Sequence, residues 1–456
     1  MDRYDVAVIG SGPGGYVAAI RASQLGFKTV CIEKEKTLGG TCLNVGCIPS
    51  KALLQSSEHY YFIKQSADEH GIESLKPKLN FKKMQSRKEE VVGSLVQGIA
   101  GLFKRNKVAR IKGTGKLTSP NTIEVNGKTI EAKHILLATG SEPIELPFAP
   151  FDEKKIVSST GALALSKVPK KLLVIGAGVI GLELASVYSR LGSQVTVVEM
   201  LDTICPGFDK SVTKPLHQSL AKMGIKFHLS AKVTKIDSGK VTVTQNDETL
   251  TFTPDCILVS IGRRPYSAGL GLEAVGVETD HSGFVEVDKH FRTSIPNIYA
   301  FGDLIKGAGL AHRASEEGVA IVEALAGKSP EINYIAIPNV VYTHPELASV
   351  GFTEEETKEL GIEIIKGVAS FKGNPRARAA GDTGGLVKVI AEKSSHRLLG
   401  VHILGPHASE MIGEAVIALD NRSKVESIAH ACHAHPTLSE AIKEAALASL
   451  GEAVHT

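Results

Sequence analysis

A pair of cysteines, Cys42 and Cys47, stands five residues apart in the stretch GGTCLNVGCIPSKALL. The chain has six cysteines among its 456 residues, too few for a disulfide scaffold. A close pair in such a chain is more typical of catalysis or of a metal site. Zinc sites usually need four ligands at characteristic spacings, and no second close pair accompanies this one. The spacing therefore favours thiol chemistry.

A bridge between the two thiols requires a break in regular structure. Five residues of helix rise about 7.5 Å, whereas a disulfide tolerates about 4.4–6.8 Å between its Cα atoms. Asn44 and Gly46 permit a distorted turn, and Pro49 is tolerated in the first turn of a helix that starts around Ile48. Such a small loop opens and closes easily and adds little stability, which favours a switchable redox role.

The other four cysteines carry weaker signals. Cys31 and Cys256 lie in apolar, strand-like runs and are predicted to be small core residues. Cys205 lies in a predicted loop and has no assigned role. Cys432 lies among a group of histidines, so a metal site there stays open, although no pair of carboxylates or thiolates completes it. The histidines are His430, His433 and His435.

The elements that would position these residues repeat along the chain. Two segments share an apolar strand, a G-x-G-x-x-G turn, an amphipathic helix and a second apolar strand: VAVIGSGPGGYVAAIRASQLGFKTVCIEK and LLVIGAGVIGLELASVYSRLGSQVTVVEM. The turn glycines are Gly10, Gly12 and Gly15 in the first copy and Gly176, Gly178 and Gly181 in the second. Glycine allows the tight turn and the close approach of a pyrophosphate, whose charge the helix N-terminus stabilises. Two copies in this full context predict two dinucleotide-binding folds.

Each copy ends in a glutamate, Glu33 or Glu199, 23 residues after its first turn glycine. A carboxylate at this position accepts hydrogen bonds from a ribose diol and repels a 2′-phosphate. Glu199 therefore indicates NAD rather than NADP in the second fold.

The repeat extends beyond these turns. Buried-type strands end at Gly140 in the first copy and at Gly262 in the second, and the distance from the first turn glycine is 44 residues longer in the first copy. This surplus predicts an insertion that holds the cysteine segment and a helical stretch from Ser50 to about Lys107. A third strand-like piece ends near Asp303, whose carboxylate could hold a polyhydroxyl chain.

After about residue 340 the pattern changes to antiparallel strands with intervening helices, in VVYTHPELASVGFT, LVKVIAE and LLGVHILG. We therefore predict an α/β protein with two Rossmann-like dinucleotide-binding domains and a C-terminal α+β domain. The predicted domains are 1–148, 149–270, 271–340 and 341–456, and the third completes the first dinucleotide site.

The bulk composition argues against several classes of partner. The chain has 52 basic and 49 acidic residues and a net charge of +3, which gives no reason to expect nucleic acid or an anionic membrane. No apolar run reaches the length of a membrane span. Met1 to Tyr4 lead directly into strand-like residues rather than into a signal peptide. We expect a cytoplasmic protein, or a mature chain without its transit peptide.

Several motifs together resemble the class I flavoprotein disulfide reductases. They are GGTCLNVGCIPSK, the two glutamate-terminated folds, Ala138-Thr139-Gly140, Ala300-Phe301-Gly302-Asp303 and HAHPTLSEA. The resemblance covers essentially the whole chain, and the cysteine segment is highly specific. It implies FAD in the first fold, NAD in the second, a redox disulfide between Cys42 and Cys47, and a homodimer formed through a C-terminal dimerisation domain.

The resemblance also implies which residues bind the two cofactors, and it implies no metal. Those for FAD are Gly10, Gly12, Gly15, Glu33, Lys51, Gly115, Thr139, Gly140, Asp303, Leu310, Ala311 and His312. Those for NAD are Gly176, Gly178, Gly181, Glu183, Glu199, Val233 and Gly262. Lys51 resembles the family lysine beside the flavin, where a cation stabilises negative charge on the reduced ring. Glu183 resembles the ion-pair partner of that lysine.

His435 and Glu440 resemble the acid–base pair of the family. A thiol is a poor nucleophile until it is deprotonated, and an imidazole of near-neutral pKa suits that proton transfer. A carboxylate orients the ring and supports its charged form. In the family this histidine serves the disulfide of the other subunit. The implied catalytic residues are Cys42, Cys47, Lys51, Glu183, His435 and Glu440.

Within the family the chain is most similar to enzymes that oxidise dihydrolipoamide with NAD. The implied substrate is carried on a lipoylated acyltransferase or carrier protein of a 2-oxoacid dehydrogenase or glycine cleavage complex, and its thiolate would attack Cys42 and release Cys47. Glutathione reductase stays open as an alternative, although those relatives have arginines where Glu199 stands and a lysine where Ser50 stands. A non-catalytic, flavin-binding component of a multienzyme complex is the other alternative.

Overall fold

The computed structural model describes residues 2–73 and 77–455 of the chain. The described residues form two compact units. The first unit comprises Met1–Leu53, Asn80–Glu145 and Gly262–Ile332, and the second comprises Leu54–Leu79, Leu146–Ile261 and Asn333–Thr456. The four predicted domains and their boundaries stay a prediction.

The first third of the chain alternates strands and helices. Its elements are β1 (Asp2–Ile9), α1 (Pro13–Gln24), β2 (Thr29–Glu33), α2 (Gly40–Val45), α3 (Cys47–Gln65), α4 (Phe81–Arg105), β3 (Ala109–Lys112), β4 (Lys116–Ser119), β5 (Thr122–Val125), β6 (Lys128–Leu137) and β7 (Ser141–Pro143). The second half of β1 and the whole of β2 are rich in aliphatic residues and are buried, as expected where helices cover a parallel sheet.

The middle of the chain repeats this alternation. Its elements are β8 (Ile156–Val157), α5 (Ser159–Leu163), β9 (Lys171–Ile175), α6 (Val179–Arg190), β10 (Gln194–Val198), α7 (Lys210–Lys222), β11 (Lys226–His228), β12 (Ala231–Asp237), β13 (Lys240–Gln245), β14 (Glu248–Phe252) and β15 (Cys256–Val259). The chain then returns to the first unit through β16 (Arg263–Pro265), α8 (Leu272–Val275), β17 (Ile298–Ala300) and α9 (Ala311–Leu325).

The two main parallel sheets have corresponding strand orders, which confirms the predicted repeat. In the first unit the order is β3-β2-β1-β6-β5-β4, with β17 also paired to β6, and β4 and β5 run antiparallel. In the second unit the order is β11-β10-β9-β15-β8, and every pair is parallel. Each glycine turn follows the strand at which the order reverses, β1 or β9. Open parallel sheets bind ligands at this position, beyond the carboxyl ends of the strands.

The last part of the chain forms an antiparallel sheet with the order β18-β19-β22-β21-β20. Its elements are β18 (Asn339–Val341), β19 (Glu346–Gly351), α10 (Glu354–Glu359), β20 (Ile364–Ser370), α11 (Pro375–Ala380), β21 (Leu386–Glu392), β22 (Leu398–Gly405), α12 (Ala408–Asp420), α13 (Glu426–Ala429) and α14 (Glu440–Leu450). Buried aliphatic residues of β21, β22, α12 and α14 form one core. The predicted C-terminal α+β fold is confirmed.

Candidate active site

The first glycine turn leaves no room for side chains where the backbone must close. Gly10 has φ +104°, and a Cβ there would collide with the carbonyl oxygen of Ala138. A Cβ at Gly15 would collide with the carbonyl oxygen of Gly10. Gly12, the residue that precedes α1, faces open space, since no described atom other than those of Gly12 and its two chain neighbours lies within 4 Å of where its Cβ would be. The turn therefore presents a helix N-terminus to an open cradle.

The second glycine turn has the same construction. Gly176 has φ +102°, and a Cβ there would collide with the backbone of Ser260. A Cβ at Gly181 would meet the carbonyl oxygen of Gly176. Gly178 precedes α6 and again faces open space in the described structure. Both turns fit the pyrophosphate of a dinucleotide, as the sequence predicts.

The two terminal glutamates also hold the turns together. Oε2 of Glu33 accepts hydrogen bonds from the amide of Ser11 at 2.9 Å and from its hydroxyl at 2.6 Å, and Oε1 accepts one from the amide of Glu35 at 2.8 Å. In the second copy, Oε2 of Glu199 accepts from the amide of Ala177 at 2.6 Å and Oε1 from the amide of Leu201 at 2.9 Å.

Each glutamate thus links the residue after the first glycine to the residue two positions beyond itself. This structural role was not apparent from the sequence. The regular offset of 23 residues in both copies is the signal that could have indicated it.

A polar network surrounds Asp303 in the first unit. The hydroxyl of Ser141 donates to Oδ2 of Asp303 at 2.5 Å. The guanidinium of Arg263 donates from Nε to the hydroxyl of Ser141 at 2.8 Å and from Nη2 to its carbonyl at 2.6 Å. Burial lowers the pKa of Arg263, whereas the charges of Asp303 and Cys47 act in the opposite direction. Arg263 was not a predicted site residue, although it directly follows the predicted Gly262.

The other residues predicted for the first dinucleotide frame the same unit. Gly115 lies against the methyl groups of Ile9 and Ile32, 3.2 and 3.3 Å from where its Cβ would be. The hydroxyl of Thr139 donates to the carbonyl of Tyr266 at 2.7 Å, and Gly140 follows with φ +71°. Leu310 precedes α9, and Ala311 and His312 are its first residues.

A buried ion pair fixes the loop between Asp303 and α9. Nε of Arg313 lies 2.8 Å from Oε1 of Glu317, and both side chains are nearly inaccessible to solvent. The other guanidinium nitrogens donate to the carbonyls of Ala308 at 2.8 Å and Lys306 at 2.9 Å. Oε2 of Glu317 accepts from the amide of Gly302 at 2.7 Å. The sequence pattern did not identify this pair, because an i, i+4 spacing of opposite charges is also common on exposed helices.

The cysteines lie on either side of a helix break. Gly46 ends α2 with φ −141° and ψ −116°, and Cys47 begins α3. The side-chain amide of Asn44 donates to the carbonyls of Leu38 at 3.0 Å and Gly40 at 2.8 Å, which ties α2 to the preceding turn. The predicted interruption of regular helix between the cysteines is confirmed.

Both cysteines are thiols in this structure, and they form a hydrogen bond with each other. This hydrogen bond and burial raise the pKa of the Cys42 thiol, whereas the positive charge of Lys51 acts in the opposite direction. Cys42 is partly buried and Cys47 is exposed. Two thiols in contact at a helix break are placed to form and release a disulfide, and the disulfide itself stays a prediction.

His435 and Glu440 are held together in the second unit. Nδ1 of His435 lies 2.9 Å from Oε1 of Glu440, and the amide of Thr437 donates to Oε2 at 2.7 Å. Burial alone would raise the pKa of Glu440, but the Thr437 amide and His435 hold it below its usual range. The side chain of His435 is 67% exposed, so its ring remains accessible to a substrate.

The neighbouring histidines have carboxylate partners of their own. Nε2 of His433 lies 2.7 Å from Glu414, and Nε2 of His430 lies 3.1 Å from Glu452. Within residues 2–73 and 77–455, no three His, Cys, Asp or Glu side chains are grouped to hold a metal ion. The alternative of a metal site around Cys432 therefore gains no support from the described residues.

The other residues predicted for the NAD site, and the two cysteines predicted for the core, differ in their surroundings. Glu183 is buried on α6, and its Oε1 accepts from the amide of Tyr342 at 3.1 Å. Val233 lies on β12 with its side chain in an apolar core, and Gly262 has φ +132°. Cys31 and Cys256 are buried, which confirms their prediction as core residues.

Comparisons with known proteins agree with this arrangement. Residues 4–318 match the family of pyridine nucleotide-disulphide oxidoreductases, and residues 337–446 match the dimerisation domain of that family, which supports a homodimer. The mitochondrial dihydrolipoyl dehydrogenase of Pisum sativum is 52% identical over 100% of this chain and 93% of its own length. That of Sus scrofa is 52% identical over 99% of this chain and 92% of its own length. The crystal structure of LpdA from Mycobacterium tuberculosis has a TM-score of 0.89 at 28% identity and covers 98% of this chain and 99% of its own.

The expectation of a cytoplasmic protein is wrong. Full-length relatives, including those of pea and pig, are named mitochondrial, and these names point to the mitochondrion. A protein's compartment is determined by its targeting segment rather than by its folded domains, so the residues that build the fold do not indicate the compartment.

In the described residues, no helix combines the length and apolarity that crossing a bilayer would require.

The family follows from three observations: the thiol pair, the two dinucleotide turns and the matches over nearly the whole length. The chain belongs to the pyridine nucleotide-disulphide oxidoreductase family.

Proposed function

We propose that this protein oxidises dihydrolipoamide, carried on a lipoylated protein, to lipoamide and reduces NAD to NADH. The thiol contact between Cys42 and Cys47 carries the proposal, because a dithiol substrate exchanges with a protein disulfide. Full-length relatives at about 52% identity are named dihydrolipoyl dehydrogenase, which favours this function over that of glutathione reductase.

The thiol step conserves atoms and electrons. A substrate thiolate attacks the Cys42 sulfur of the Cys42–Cys47 disulfide, forming a mixed disulfide and releasing the Cys47 thiolate. The second substrate thiolate then attacks the substrate sulfur of the mixed disulfide and displaces Cys42. The substrate leaves as a cyclic disulfide, and the two protons of its thiols are carried by the two reduced cysteines of the protein, so the exchange releases no net protons.

In this proposal His435 accepts the protons of the substrate thiols. Glu440 accepts the hydrogen bond from Nδ1, which leaves Nε2 as the nitrogen that takes the thiol proton. The ionised Glu440 also stabilises the imidazolium that forms. Following the family resemblance, we assign His435 to the disulfide of the partner subunit in a homodimer.

Members of the family use FAD and NAD. A bound flavin supplies the two-electron chemistry that connects thiol oxidation to reduction of a nicotinamide. In our proposal the FAD is held by Gly10, Gly12, Gly15, Glu33, Lys51, Gly115, Thr139, Gly140, Asp303, Leu310, Ala311 and His312. NAD is held by Gly176, Gly178, Gly181, Glu183, Glu199, Val233 and Gly262. Lys51 contributes a positive charge close to the cysteines, and Glu183 is its proposed partner.

The physiological partner in this proposal is the lipoylated acyltransferase or carrier protein of a 2-oxoacid dehydrogenase or glycine cleavage complex. The deciding experiment follows NADH formation at 340 nm when purified protein receives dihydrolipoamide and NAD. A parallel reaction with glutathione disulfide and NADPH tests the alternative. Turnover in the second reaction alone would overturn the proposal, and turnover in neither would favour a non-catalytic role.

The assignment of one cofactor to each fold can be tested with paired glycine variants. Gly15→Ala places a methyl group against the Gly10 carbonyl and should give protein that retains little or no flavin. Gly181→Ala places one against the Gly176 carbonyl and should leave the protein yellow, with about one FAD per chain, but unable to bind NAD tightly. Flavin absorbance and NAD titration measure the two outcomes.

Gly98→Ala is the matched control for both glycine variants, because no described atom outside its chain neighbours and the adjacent backbone of α4 lies within 4 Å of its Cβ position. It should retain both cofactors. The opposite pattern, with Gly181→Ala colourless and Gly15→Ala yellow, would reverse the assignment.

The nucleotide preference should depend on Glu199. Glu199→Ala removes the carboxylate expected to bind the ribose diol and the two amide hydrogen bonds that it accepts. A hydrogen bond to a charged group contributes about 1.5–3 kcal/mol, so kcat/KM for NAD should fall about 10- to 100-fold. The value for NADP should fall less, because its 2′-phosphate no longer meets a negative charge. Equal wild-type efficiency with both nucleotides would contradict the assignment.

A further inference from the structure

A buried ion triad lies in the second unit, apart from the residues assigned to catalysis. Nζ of Lys388 lies 3.0 and 2.8 Å from the two carboxylate oxygens of Asp209 and 2.6 Å from Oε2 of Glu354. Lys388 is 3% exposed and Asp209 is 1% exposed. The triad joins β21, the residue that precedes α7, and the start of α10, which are remote in the sequence.

All three groups are held in their charged forms, and hydrogen bonds from Lys366 and Lys388 lower the pKa of Glu354. Burial alone would raise the pKa of Asp209, but the Glu354 amide, the Lys388 ammonium and the Ser211 hydroxyl hold it well below its usual range. Burial alone would lower the pKa of Lys388, but the two carboxylates raise it. The triad is therefore a fixed set of charges rather than a group that titrates near neutral pH.

Burial of the triad is hard to explain by stability alone. The neighbours of Lys388 in β21 are apolar and buried, and they are Val387, Val389, Ile390 and Ala391. An apolar residue at position 388 would continue this pattern, and buried ion pairs are often no more stable than apolar replacements of similar volume. The charges instead fix the position of Asp209, because its carboxylate must lie where Lys388 and Glu354 contact it.

Asp209 directly follows the segment Leu201–Phe208, which contacts the second dinucleotide turn through Cys205. Just before the segment, the carboxylate of Glu199 accepts hydrogen bonds from the amide of Leu201 at 2.9 Å and from the amide of Ala177 at 2.6 Å. In its middle, the amide of Cys205 donates to the carbonyl of Ala177 at 3.0 Å. Ala177 lies between Gly176 and Gly178; its amide is held by Glu199 and its carbonyl by Cys205 of the segment.

The far end of the segment is held through Asp209 and its contacts. In addition to its contact with Lys388, the carboxylate of Asp209 accepts hydrogen bonds from the Ser211 amide at 2.9 Å and from the Glu354 amide at 2.9 Å. Cys205 has φ +46°, a conformation that a non-glycine residue keeps only when its surroundings impose it. The buried Ile204 and Cys205 and the anchored Asp209 supply those surroundings.

We propose that Lys388, through Asp209, positions the segment Leu201–Phe208 against Ala177 and so sets the affinity of the second dinucleotide fold for NAD. Lys388 is a positioning residue, since it acts through Asp209 and has no direct role at the turn. The inference rests on the proposed function, in which this fold binds NAD. It links the C-terminal domain to nucleotide affinity.

The test compares NAD binding by the holoenzyme variants Lys388→Met and Lys366→Met. Lys366 is the matched control, because its Nζ lies 2.5 Å from the other carboxylate oxygen of Glu354 but its side chain is 51% exposed. Lys388→Met should raise the dissociation constant and the KM for NAD about tenfold, since small displacements of positioning groups have effects of this size. KM for dihydrolipoamide and flavin content should stay unchanged, and Lys366→Met should behave as wild type.

Lys388→Met leaves a buried charge unpaired, so it could fail to fold. The double variant Asp209→Asn with Lys388→Met removes both charges and should fold, yet show the same loss of NAD affinity. Glu354→Gln, at the partly exposed edge of the triad, should raise the dissociation constant about two- to threefold. Hydrogen exchange at residues 201–208 should be faster in all three variants than in wild type.

Wild-type NAD affinity in folded Lys388→Met or in the double variant would overturn the inference. So would an equal rise of KM for both substrates, which a general loss of stability would produce. If wild-type protein itself binds no NAD, the proposed function fails first. Faster exchange at residues 201–208 in the variants would then show only that the triad holds the segment, and the link to NAD would be refuted.

Discussion

Protein with Cys42→Ser or Cys47→Ser is expected to lose dihydrolipoamide oxidation to the level of the uncatalysed background. A serine hydroxyl cannot form an exchangeable disulfide with the remaining cysteine, so the relay of electrons from the substrate dithiol is interrupted in either variant. The FAD content should largely survive, because the glycine turn and Glu33 lie on other elements. Oxidation of NADH by a quinone should also persist, since it requires flavin and nicotinamide but no thiol.

Cys432→Ser is the matched control for these variants. Cys432 is an exposed free cysteine that contributes nothing to the proposed thiol relay, so its replacement should leave the activity at the wild-type level. The proposed relay fails if Cys42→Ser or Cys47→Ser retains near-wild-type turnover of dihydrolipoamide.

His435→Ala should show the second largest effect, a loss of about 10²- to 10⁴-fold in thiol oxidation, the usual range for a general base. The NADH–quinone reaction should change little, because no substrate thiol proton moves in it. His430→Ala is the matched control, since His430 is an exposed neighbour paired with Glu452. Glu440→Ala should cost less than His435→Ala, because the histidine remains but loses the hydrogen bond at Nδ1.

Mixed dimers test whether His435 acts across the subunit boundary. Cys42→Ser subunits and His435→Ala subunits are each inactive, but a heterodimer of the two would contain one site with both intact residues and one with neither. Partial recovery of activity after subunit exchange is therefore expected. Proven heterodimers with no more activity than either parent would show that His435 serves its own chain or is not the base.

The sequence by itself determined the dinucleotide turns, because their requirements are local. A backbone that closes against Ala138 or Ser260 excludes a Cβ at Gly10 and Gly176, and this exclusion appears directly as glycine at fixed spacing. The helix break at Gly46 is local in the same sense, whereas the pairing of His435 with Glu440 was implied by the family resemblance. Alternating strands and helices likewise indicated the parallel sheets, although only the structure gave the strand orders.

Compartment was the one wrong expectation. The residues that fold the protein follow the same physical rules in the cytoplasm and in the mitochondrion. The correction came from relatives rather than from any contact in the molecule.

Only the tertiary structure decided which charged and polar residues from distant parts of the chain meet. Arg263 with Ser141 and Lys388 with Asp209 are each separated by more than a hundred residues in the chain. Periodicity in a sequence reports that a position is buried, but the partner of a buried charge depends on how distant elements pack. The same reason explains why the sequence predicted a ligand for Glu33 and Glu199 but not the hydrogen bonds that they accept from the turns. The sequence shows that each carboxylate is charged, but only the folded backbone shows which amides donate hydrogen bonds to it.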